Sequence, residues 1–287
     1  MFKRVFVPPS FSLIKKGKSL LLLKDGYKDL LLQRGIENLG IFLKDHLEAT
    51  RYRKGRSSHP SIPIKNGERM IVRRYSHGGL LGPFTRDLYL FGSRSFQELA
   101  LTEAIRSSGI PTVEPIGAIH RLGPFPFHRP SLLLLEIPDA IDLAQYLQEI
   151  GSSPSPQDLV QKHKLIRSAG LLLRRFHDQG FFHRDLQLKN ILIAGEELLL
   201  IDFDRSYRKT PLTYGDRMRN LLRLDRSAEK WKRLGLPISR TDRCRFYLAY
   251  AGDDVKIKEA IRRTGRTYSI RHLFYRIGWA FEKLVGG

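Results

Sequence analysis

The chain has 287 residues, enough for one large domain or for two lobes with separate cores. Apolar residues make up 41% and charged residues 28%, which describes an ordinary soluble globular protein. The 50 Lys and Arg residues outnumber the 29 Asp and Glu residues, and the net charge of +21 predicts an anionic partner: nucleic acid, an acidic membrane surface or a phosphorylated glycan. The single cysteine, Cys244, excludes an intrachain disulfide and a cysteine-based zinc site.

Neither a membrane-spanning protein nor one with a signal peptide is expected. No uninterrupted apolar stretch approaches the ~20 residues of a spanning helix, so the protein is not expected to cross a membrane, and a place on a membrane surface stays open. The apolar run at the basic N-terminus is broken by Pro8-Pro9, with no small-residue cleavage site after it, so no signal peptide is predicted. The cysteine usage suits a reducing cytoplasm, where Cys244 is expected to be a small buried side chain.

Residues 1–50 show no chemistry, and we interpret them as an N-terminal extension packed on an N-terminal lobe. Asp25-Gly26 between two apolar runs is typical of a hairpin turn, although the second run could equally open a helix. Residues 36–47 carry apolar side chains at helical spacing and are predicted to form an amphipathic helix.

A loop with Gly55, Ser57 and Ser58 lies between two predicted strands. Its backbone N–H groups would suit the covering of nucleotide phosphates, but one glycine is equally typical of an ordinary connection. The second strand contains Met70-Ile71-Val72-Arg73, where protein kinases have V-A-I-K, so Arg73 takes the lysine position. Arginine can hold phosphate oxygens bidentately; the alternative is a solvated strand residue.

A helix is predicted to follow and to end at Gly109. Ser95-x-x-Glu98 has the spacing of a capping box. Glu98 is also the candidate partner of Arg73, by analogy with the kinase Lys–Glu pair, and Glu103 is the alternative.

Two further strands are predicted, and the second ends at Glu136-Ile137. A kinase hinge would present backbone groups to adenine here, so we place the lobe boundary at this point, with an N-lobe over 51–136 and a C-lobe over 137–287. Ser155-Pro156-x-Asp158 then predicts the start of a long helix that Gly180 ends.

The residues with the clearest chemistry follow that helix. His183-Arg184-Asp185 and Asn190 precede two apolar runs joined by a Gly195-Glu196 turn, and the second run leads to Asp202. The runs predict a β-hairpin that brings Asp185, Asn190 and Asp202 to one end of a small sheet. Carboxylate and amide oxygens there suit Mg²⁺.

This spacing is the protein-kinase signature H-R-D-x-x-x-x-N followed by D-F-x. In that template Asp185 accepts the proton of the attacking hydroxyl, while Asn190 and Asp202 hold Mg²⁺. The alternative is a surface loop with unrelated polar residues. His183 is expected to hold the loop by packing and hydrogen bonding.

A basic helix is predicted after Tyr214. One face is apolar, and the other carries a set of cations that is interpreted either as an anion-facing surface or as an ordinary solvated one: Arg217, Arg219, Arg223, Arg226, Lys230, Lys232 and Arg233. Helices are also predicted over 241–251, 253–263 and 268–284. No RNA-binding signature accompanies the basic residues, so no nucleic-acid partner is predicted.

Several of these motifs resemble the 3-deoxy-D-manno-octulosonic acid (Kdo) kinase branch of the bacterial lipopolysaccharide kinase family. The resemblance covers roughly residues 50–235 and lies in four segments: Val72–Leu80, His183–Asn190, Leu200–Arg205 and Asn220–Ser227. It implies an α+β, two-lobed protein-kinase-like fold, with a small antiparallel N-lobe that has one main helix and a mainly helical C-lobe.

The resemblance also implies an ATP- and Mg²⁺-dependent kinase that phosphorylates a Kdo hydroxyl of Kdo-lipid A or a related lipopolysaccharide precursor. Its place would be the cytoplasmic face of the inner membrane, against an anionic lipid surface. Asp185 would be the base, Asn190 and Asp202 the metal ligands, and Arg73 with Glu98 the phosphate-anchoring pair.

One departure from the protein-kinase pattern concerns Asp204, which replaces the glycine of D-F-G and removes its backbone freedom. An inner-core heptose kinase is the sibling interpretation. A protein kinase is less favoured because no A-P-E triplet follows Asp202. A basic nucleic-acid-binding protein and an inactive membrane-associated scaffold are the alternatives from other classes. Oligomeric state is not predicted.

Overall fold

The computed structural model describes residues 6–47, 50–53, 59–75, 94–123, 127–151 and 153–263, with the backbone alone for 51–53. The chain forms two compact units, which we call the sheet unit (Met1–Ile141, His183–Asp185 and Asn190–Tyr207) and the helical unit (Asp142–Phe182, Leu186–Lys189 and Arg208–Gly287). The lobe limits predicted from the sequence differ from these units. The chief difference is that His183–Asp185 and Asn190–Tyr207, which contain Asp185, Asn190 and Asp202, belong to the sheet unit.

The sheet unit contains a seven-stranded sheet in the order β1-β2-β6-β7-β5-β4-β3, and every neighbouring pair is antiparallel. The strands are β1 Phe11–Lys16, β2 Ser19–Lys24, β3 Arg51–Arg53, β4 His59–Pro63, β5 Arg69–Arg74, β6 Pro115–Leu122 and β7 His128–Leu135.

Two strands between residues 11 and 24 form part of this sheet. β1 and β2 turn at Gly17, whose φ of +56° is accessible to glycine, and β2 pairs with β6. Within the predicted N-terminal extension, these two strands continue the sheet of the lobe, since β2 supplies backbone partners along one edge of β6. Asp25 begins a helix, so the structure selects the helix over the hairpin at Asp25-Gly26.

Both faces of the sheet are covered by helices. One face packs against α1 Asp25–Gln33, a 3-10 helix Ile36–Asn38 and α2 Leu39–Asp45 through a cluster that includes Leu21, Leu23 and Val72. The other face packs against α3 Arg94–Ser107 through Leu22, Tyr75, Phe96 and Leu99. Successive strand residues face opposite sides of a sheet. Arg73 and Tyr75 therefore lie on the α3 side of β5, while Val72 lies on the other.

The signature residues adjoin a short antiparallel hairpin. Its strands, β10 Ile191–Ala194 and β11 Glu197–Leu200, turn at Gly195, which has a φ of +60°. The hairpin predicted from the two apolar runs is thus present. Ile141–Asp142 is a two-residue strand, β8, at the point where the chain passes from one unit to the other.

The helical unit contains α4 Leu143–Ile150, α5 Pro156–Asp178, α6 Tyr214–Arg233, α7 Arg240–Ala251 and a helix over 255–263. The chain between them includes two-residue strands β9 Phe181–Phe182 and β12 Tyr207–Arg208 and a 3-10 helix Leu188–Asn190. α5 begins after Ser155, as predicted, and Ser155 and Asp158 form a capping box there; α6 and α7 begin with capping boxes of their own. None of the described helices combines the length and the apolar character that crossing a lipid bilayer requires.

Close packing joins α5 and α7. At Gly170 the carbonyl oxygen of Phe246 would lie only 2.6 Å from an added Cβ. Nearby, the Tyr250 hydroxyl lies 2.6 Å from Nδ1 of His177. The expectation that Cys244 is buried is wrong: it is exposed, because α7 turns other residues, among them Tyr250, toward its neighbours.

Candidate active site

Asp185, Asn190 and the chain before Asp202 are joined by hydrogen bonds. The hairpin register pairs Ile191 with Leu200, and one step further the N–H of Ile201 donates to the carbonyl oxygen of Asn190 at 3.0 Å. The Asn190 side-chain nitrogen donates to the backbone oxygen of Asp185 at 2.8 Å. The three residues predicted to carry the chemistry are therefore neighbours within the sheet unit.

His183 holds this loop from inside. Its ring is fully buried and lies 5.3 Å from that of Phe203, between centroids. Nδ1 accepts the N–H of Asp185 at 3.2 Å, and Nε2 lies 2.9 Å from the carbonyl oxygen of Ile201. Because a carbonyl oxygen only accepts, the proton is on Nε2. These contacts give His183 a structural role in the loop.

Arg73 bridges two carboxylates. Its Nη1 donates to Oε1 of Glu98 and its Nη2 to Oδ1 of Asp202, each at 2.5 Å. The Glu98 side chain is 2% exposed, whereas that of Asp202 is 33% exposed. Glu103, the alternative partner, instead pairs with Arg106 at 3.0 Å.

The capping box predicted for Ser95 and Glu98 is not formed. Ser95 lies inside α3, and the Glu98 carboxylate contacts Arg73 and the Tyr75 hydroxyl. The Glu98 carboxylate thus faces the sheet, where it pairs with a cation, instead of returning to the Ser95 backbone.

The cluster shifts the pKa values of its members. Burial alone would lower the pKa of Arg73, but attraction to Glu98 and Asp202 outweighs burial and raises it, so the guanidinium stays charged. Burial and the Glu98 carboxylate raise the pKa of Tyr75 well above its usual value, so its hydroxyl stays protonated and donates to Glu98. Burial, followed by the charge of Arg73, lowers the pKa of His59, which Asp202 partly opposes; His59 is therefore neutral near pH 7.

A second ion pair lies beside the first. Arg94 donates from Nε and Nη2 to the two carboxylate oxygens of Asp204. The ring of Tyr75 contacts both guanidinium groups, with its centroid 5.4 Å from Cζ of Arg73 and 5.1 Å from Cζ of Arg94.

The sequence interpretation missed Tyr75, Arg94 and His59. Two spacings could have revealed the first two. Tyr75 follows Arg73 by two residues at the end of a strand, and Arg94 precedes Glu98 by four on a helix, so each pair shares a face. No comparable signal marked His59, because its proximity to Arg73 depends on the pairing of β4 with β5.

The remaining predicted site residues have different outcomes. Gly55, Ser57 and Ser58 lie outside the described residues. The N–H of Glu136 donates to the carbonyl oxygen of Arg69 at 2.8 Å, and its carboxylate accepts from the Ser61 hydroxyl. The N–H of Glu136 is thus already used within the sheet. The adenine contact predicted for Glu136 and Ile137 stays a prediction.

The donor atoms present suit Mg²⁺. In the described part of the chain no three His, Cys, Asp or Glu side chains form a metal-binding group. Mg²⁺ does not need one, since it commonly takes one or two carboxylates and fills its other positions with water and substrate phosphates. Asp202 offers a carboxylate that Arg73 engages through Oδ1, and Asn190 offers its amide oxygen, because its amide nitrogen is bonded to Asp185.

The basic face of α6 is partly neutralised within the helical unit. Arg217 pairs with Asp178 at 2.6 Å and Arg233 with Glu229 at 3.3 Å, while Lys230 and Lys232 are exposed. Its role toward an anionic surface stays a prediction.

The strand arginine paired with a helix glutamate, the H-R-D loop, and the hairpin that leads into Asp202-Phe203-Asp204 (the D-F-D segment) together define a protein-kinase-like fold. A solved structure described as "WaaP in complex with acyl carrier protein" has this fold in common with the chain. It matches with a TM-score of 0.52 and 18% identity over 86% of this chain and 99% of that chain. The predicted fold class is confirmed.

Residues 42–250 match the model of the lipopolysaccharide kinase (Kdo/WaaP) family, and the chain belongs to this family. It is 36% identical over 167 residues to the 3-deoxy-D-manno-octulosonic acid kinase of Vibrio cholerae serotype O1, covering 55% of this chain and 65% of the relative. The enzymes of the same name from Haemophilus influenzae and Xanthomonas campestris pv. campestris are 33% and 34% identical, over 57% and 56% of this chain and 67% and 61% of theirs. The chain thus spans about two thirds of the length of these relatives.

Proposed function

We propose that this protein is a kinase that transfers the γ-phosphoryl group of ATP to a hydroxyl of Kdo in Kdo-lipid A or a related lipopolysaccharide precursor. The observation that carries the proposal is the hydrogen-bonded set of Asp185, Asn190 and Ile201, which leads directly into Asp202 and its bond to Arg73. Membership of the lipopolysaccharide kinase family and the names of the relatives support the substrate class.

Asp185 orients the attacking sugar hydroxyl and accepts its proton. A bond then forms between that oxygen and the γ-phosphorus, while the bond from phosphorus to the β,γ-bridging oxygen breaks and ADP leaves with the electron pair. Two contacts prepare Asp185 for this role: its N–H is held by His183 and its carbonyl oxygen by Asn190. Its carboxylate is therefore carried on a backbone fixed at both ends.

Arg73 supplies fixed positive charge for the phosphates. Glu98, which also accepts from the Tyr75 hydroxyl, orients the guanidinium from the α3 side, so little reorganisation is needed when nucleotide binds. Asn190 and Asp202 would hold Mg²⁺ through their side-chain oxygens. The bound ion would neutralise charge that develops on the transferred phosphoryl group.

Radiolabelled ATP offered with Kdo-lipid A, heptosylated core and a generic protein substrate tests the proposal. Label in Kdo-lipid A alone supports it, and label confined to heptosylated core or to protein refutes the Kdo assignment. Asp185→Asn should abolish transfer with an unchanged melting temperature. Asp253→Asn, at an exposed carboxylate, is the control and should keep wild-type activity. An active Asp185→Asn variant would remove Asp185 from the mechanism.

We also propose that the protein acts at the cytoplasmic face of the inner membrane. The net charge of +21 and the exposed Lys230 and Lys232 on α6 support attraction to anionic lipid. Lys230→Glu/Lys232→Glu should weaken binding to anionic vesicles at low salt more than Lys15→Glu/Lys18→Glu, which changes the net charge equally at exposed positions near the β1–β2 turn. Equal losses from both double variants would show that α6 has no special part in binding.

A further inference from the structure

The ion pair of Arg94 and Asp204 has no assigned part in the chemistry above. It is bidentate, and its two side chains are 24% and 17% exposed. A half-buried pair of charges calls for a geometric reason, since partial removal from water offsets much of the attraction between them. The position of the pair supplies such a reason. Asp204 is two residues from Asp202, and Arg94 is one helical turn before Glu98.

Three consecutive side chains of the D-F-D segment have separate anchors. Asp202 bonds to Arg73, Phe203 is buried against His183, and Asp204 bonds to Arg94. The backbone is left-handed at non-glycine residues at both ends of this stretch, with φ of +67° at Asp202 and of +56° at Arg205, which directly follows the segment. Such conformations are uncommon without glycine and persist where the surroundings hold them in place.

The two arginine bridges run in parallel. Arg73 connects Glu98 to Asp202, and Arg94 connects the first described turn of α3 to Asp204. The ring of Tyr75 touches both guanidinium groups and its hydroxyl bonds to Glu98. A rotation of the D-F-D segment would break both bridges at once, and so would a displacement of α3.

We infer that Arg94 and Asp204 are a positioning pair, which locks the D-F-D segment to α3 and so fixes the carboxylate of Asp202 where it meets Mg²⁺. This inference rests on the proposed function of Asp202 as a metal ligand. In protein kinases the third position of D-F-x is glycine, and the packing of the phenylalanine distinguishes active from inactive forms. Here the third residue is itself tied to the helix, so the segment is kept in one arrangement.

The test is a double-mutant cycle with Arg94→Ala, Asp204→Ala and the double variant. The first readout needs no catalysis: melting temperature is followed while Mg²⁺ is titrated in the presence of a non-hydrolysable ATP analogue. Each single variant should raise the half-saturating Mg²⁺ concentration by about 10-fold, and the double variant should be no worse than the worse single one, because residues that act as a pair are not additive.

Steady-state kinetics with ATP and Kdo-lipid A give the second readout. The single variants should lower kcat by about 10- to 100-fold, the size expected from a misplaced reactive group, with the KM for the acceptor unchanged. Arg94→Lys and Asp204→Asn, which retain part of the contact, should fall between the wild type and the alanine variants; they replace the alanine variants if these fail to fold. Arg106→Ala, which breaks an ion pair at the other end of α3, is the matched control and should behave as wild type.

Three results would overturn the inference. Wild-type Mg²⁺ titrations and kcat in both single variants would show that the pair positions nothing. Losses that multiply in the double variant would show that the residues act separately. A loss confined to the Asp204 variants would make Asp204 a direct metal ligand. An inactive wild type with an intact Mg²⁺ titration would instead count against the proposed function, and the cycle on melting temperature would still decide the inference.

Discussion

Replacing Arg73 with lysine keeps the positive charge but removes the fork that reaches two carboxylates. The ammonium group of lysine is a single point and cannot occupy the positions of Nη1 and Nη2, each 2.5 Å from a different acid. It should stay with Glu98, because that carboxylate is almost fully buried and an unpaired buried charge costs about 3–5 kcal/mol. The bond to Asp202 is then the one lost.

A hydrogen bond between charged groups contributes about 1.5–3 kcal/mol. Since a third of the Asp202 side chain is exposed and water can replace the lost partner, we expect the lower part of that range, about 1.5–2 kcal/mol. Arg73→Lys should lower the free energy of unfolding by this amount. If the bond is equally needed in the transition state, kcat/KM for ATP should fall by about 10- to 30-fold. Arg73→Met should cost about 3–5 kcal/mol in stability, because it leaves Glu98 without a cation.

Urea unfolding and initial rates at varied ATP concentration measure both quantities. Arg106→Lys is the control, because its pair with Glu103 is partly exposed and a surface pair contributes about 0–1 kcal/mol. Equal stabilities of Arg73→Lys and Arg73→Met would contradict the argument, since charge alone would then have no value at this position. Wild-type activity in Arg73→Lys would show that the bridge to Asp202 is dispensable.

Two further predictions concern packing and pH. Gly170→Ala should destabilise the protein by about 1–2 kcal/mol, although alanine favours helix, because the new Cβ would lie 2.6 Å from the Phe246 oxygen. The control is Gly215→Ala, where the nearest atom would lie 3.8 Å from the new Cβ, and it should stabilise the protein slightly. A gain of stability in both variants would refute the packing argument. Burial, and then the neighbouring His128, lowers the pKa of His120 to about 3. The unfolded chain therefore binds a proton at His120 below about pH 6.5 that the folded chain does not, and stability falls with decreasing pH by up to about 1.4 kcal/mol per unit. His120→Phe should show a smaller loss of melting temperature between pH 7.5 and pH 5, and an unchanged loss would exclude His120 as its source.

Local sequence patterns were sufficient to predict the hairpin that follows Asn190 and leads to Asp202. Gly195 supplies the turn, and the apolar runs on either side have only one antiparallel register with this turn length, so Asn190 and Asp202 had to fall at the same end. The pairing of Arg73 with Glu98 could also be predicted from the sequence, because kinases commonly pair a cation on a strand with an acid on the helix that covers it.

Contacts between residues far apart in the chain could not be predicted from local sequence patterns. Whether β1 and β2 join the sheet depends on the backbone of β6, almost a hundred residues away in sequence, and no periodicity within residues 1–50 reports it. The Arg94–Asp204 pair spans a still longer separation. Glu98 illustrates the ambiguity: one residue satisfied both a capping pattern and an ion-pair pattern, and only the orientation of α3 against β5 decided between them.

The place of β2 in the sheet has a practical consequence for protein production. The family match begins at residue 42, so a shortened gene designed on that match would omit β1 and β2. β6 would then become an outer strand with open N–H and C=O groups, and the core on both faces of the sheet would lose the fully buried Leu21, Leu22 and Leu23. Open strand edges of this kind recruit other chains, so insoluble material from such a shortened version would report a severed sheet rather than an unstable kinase.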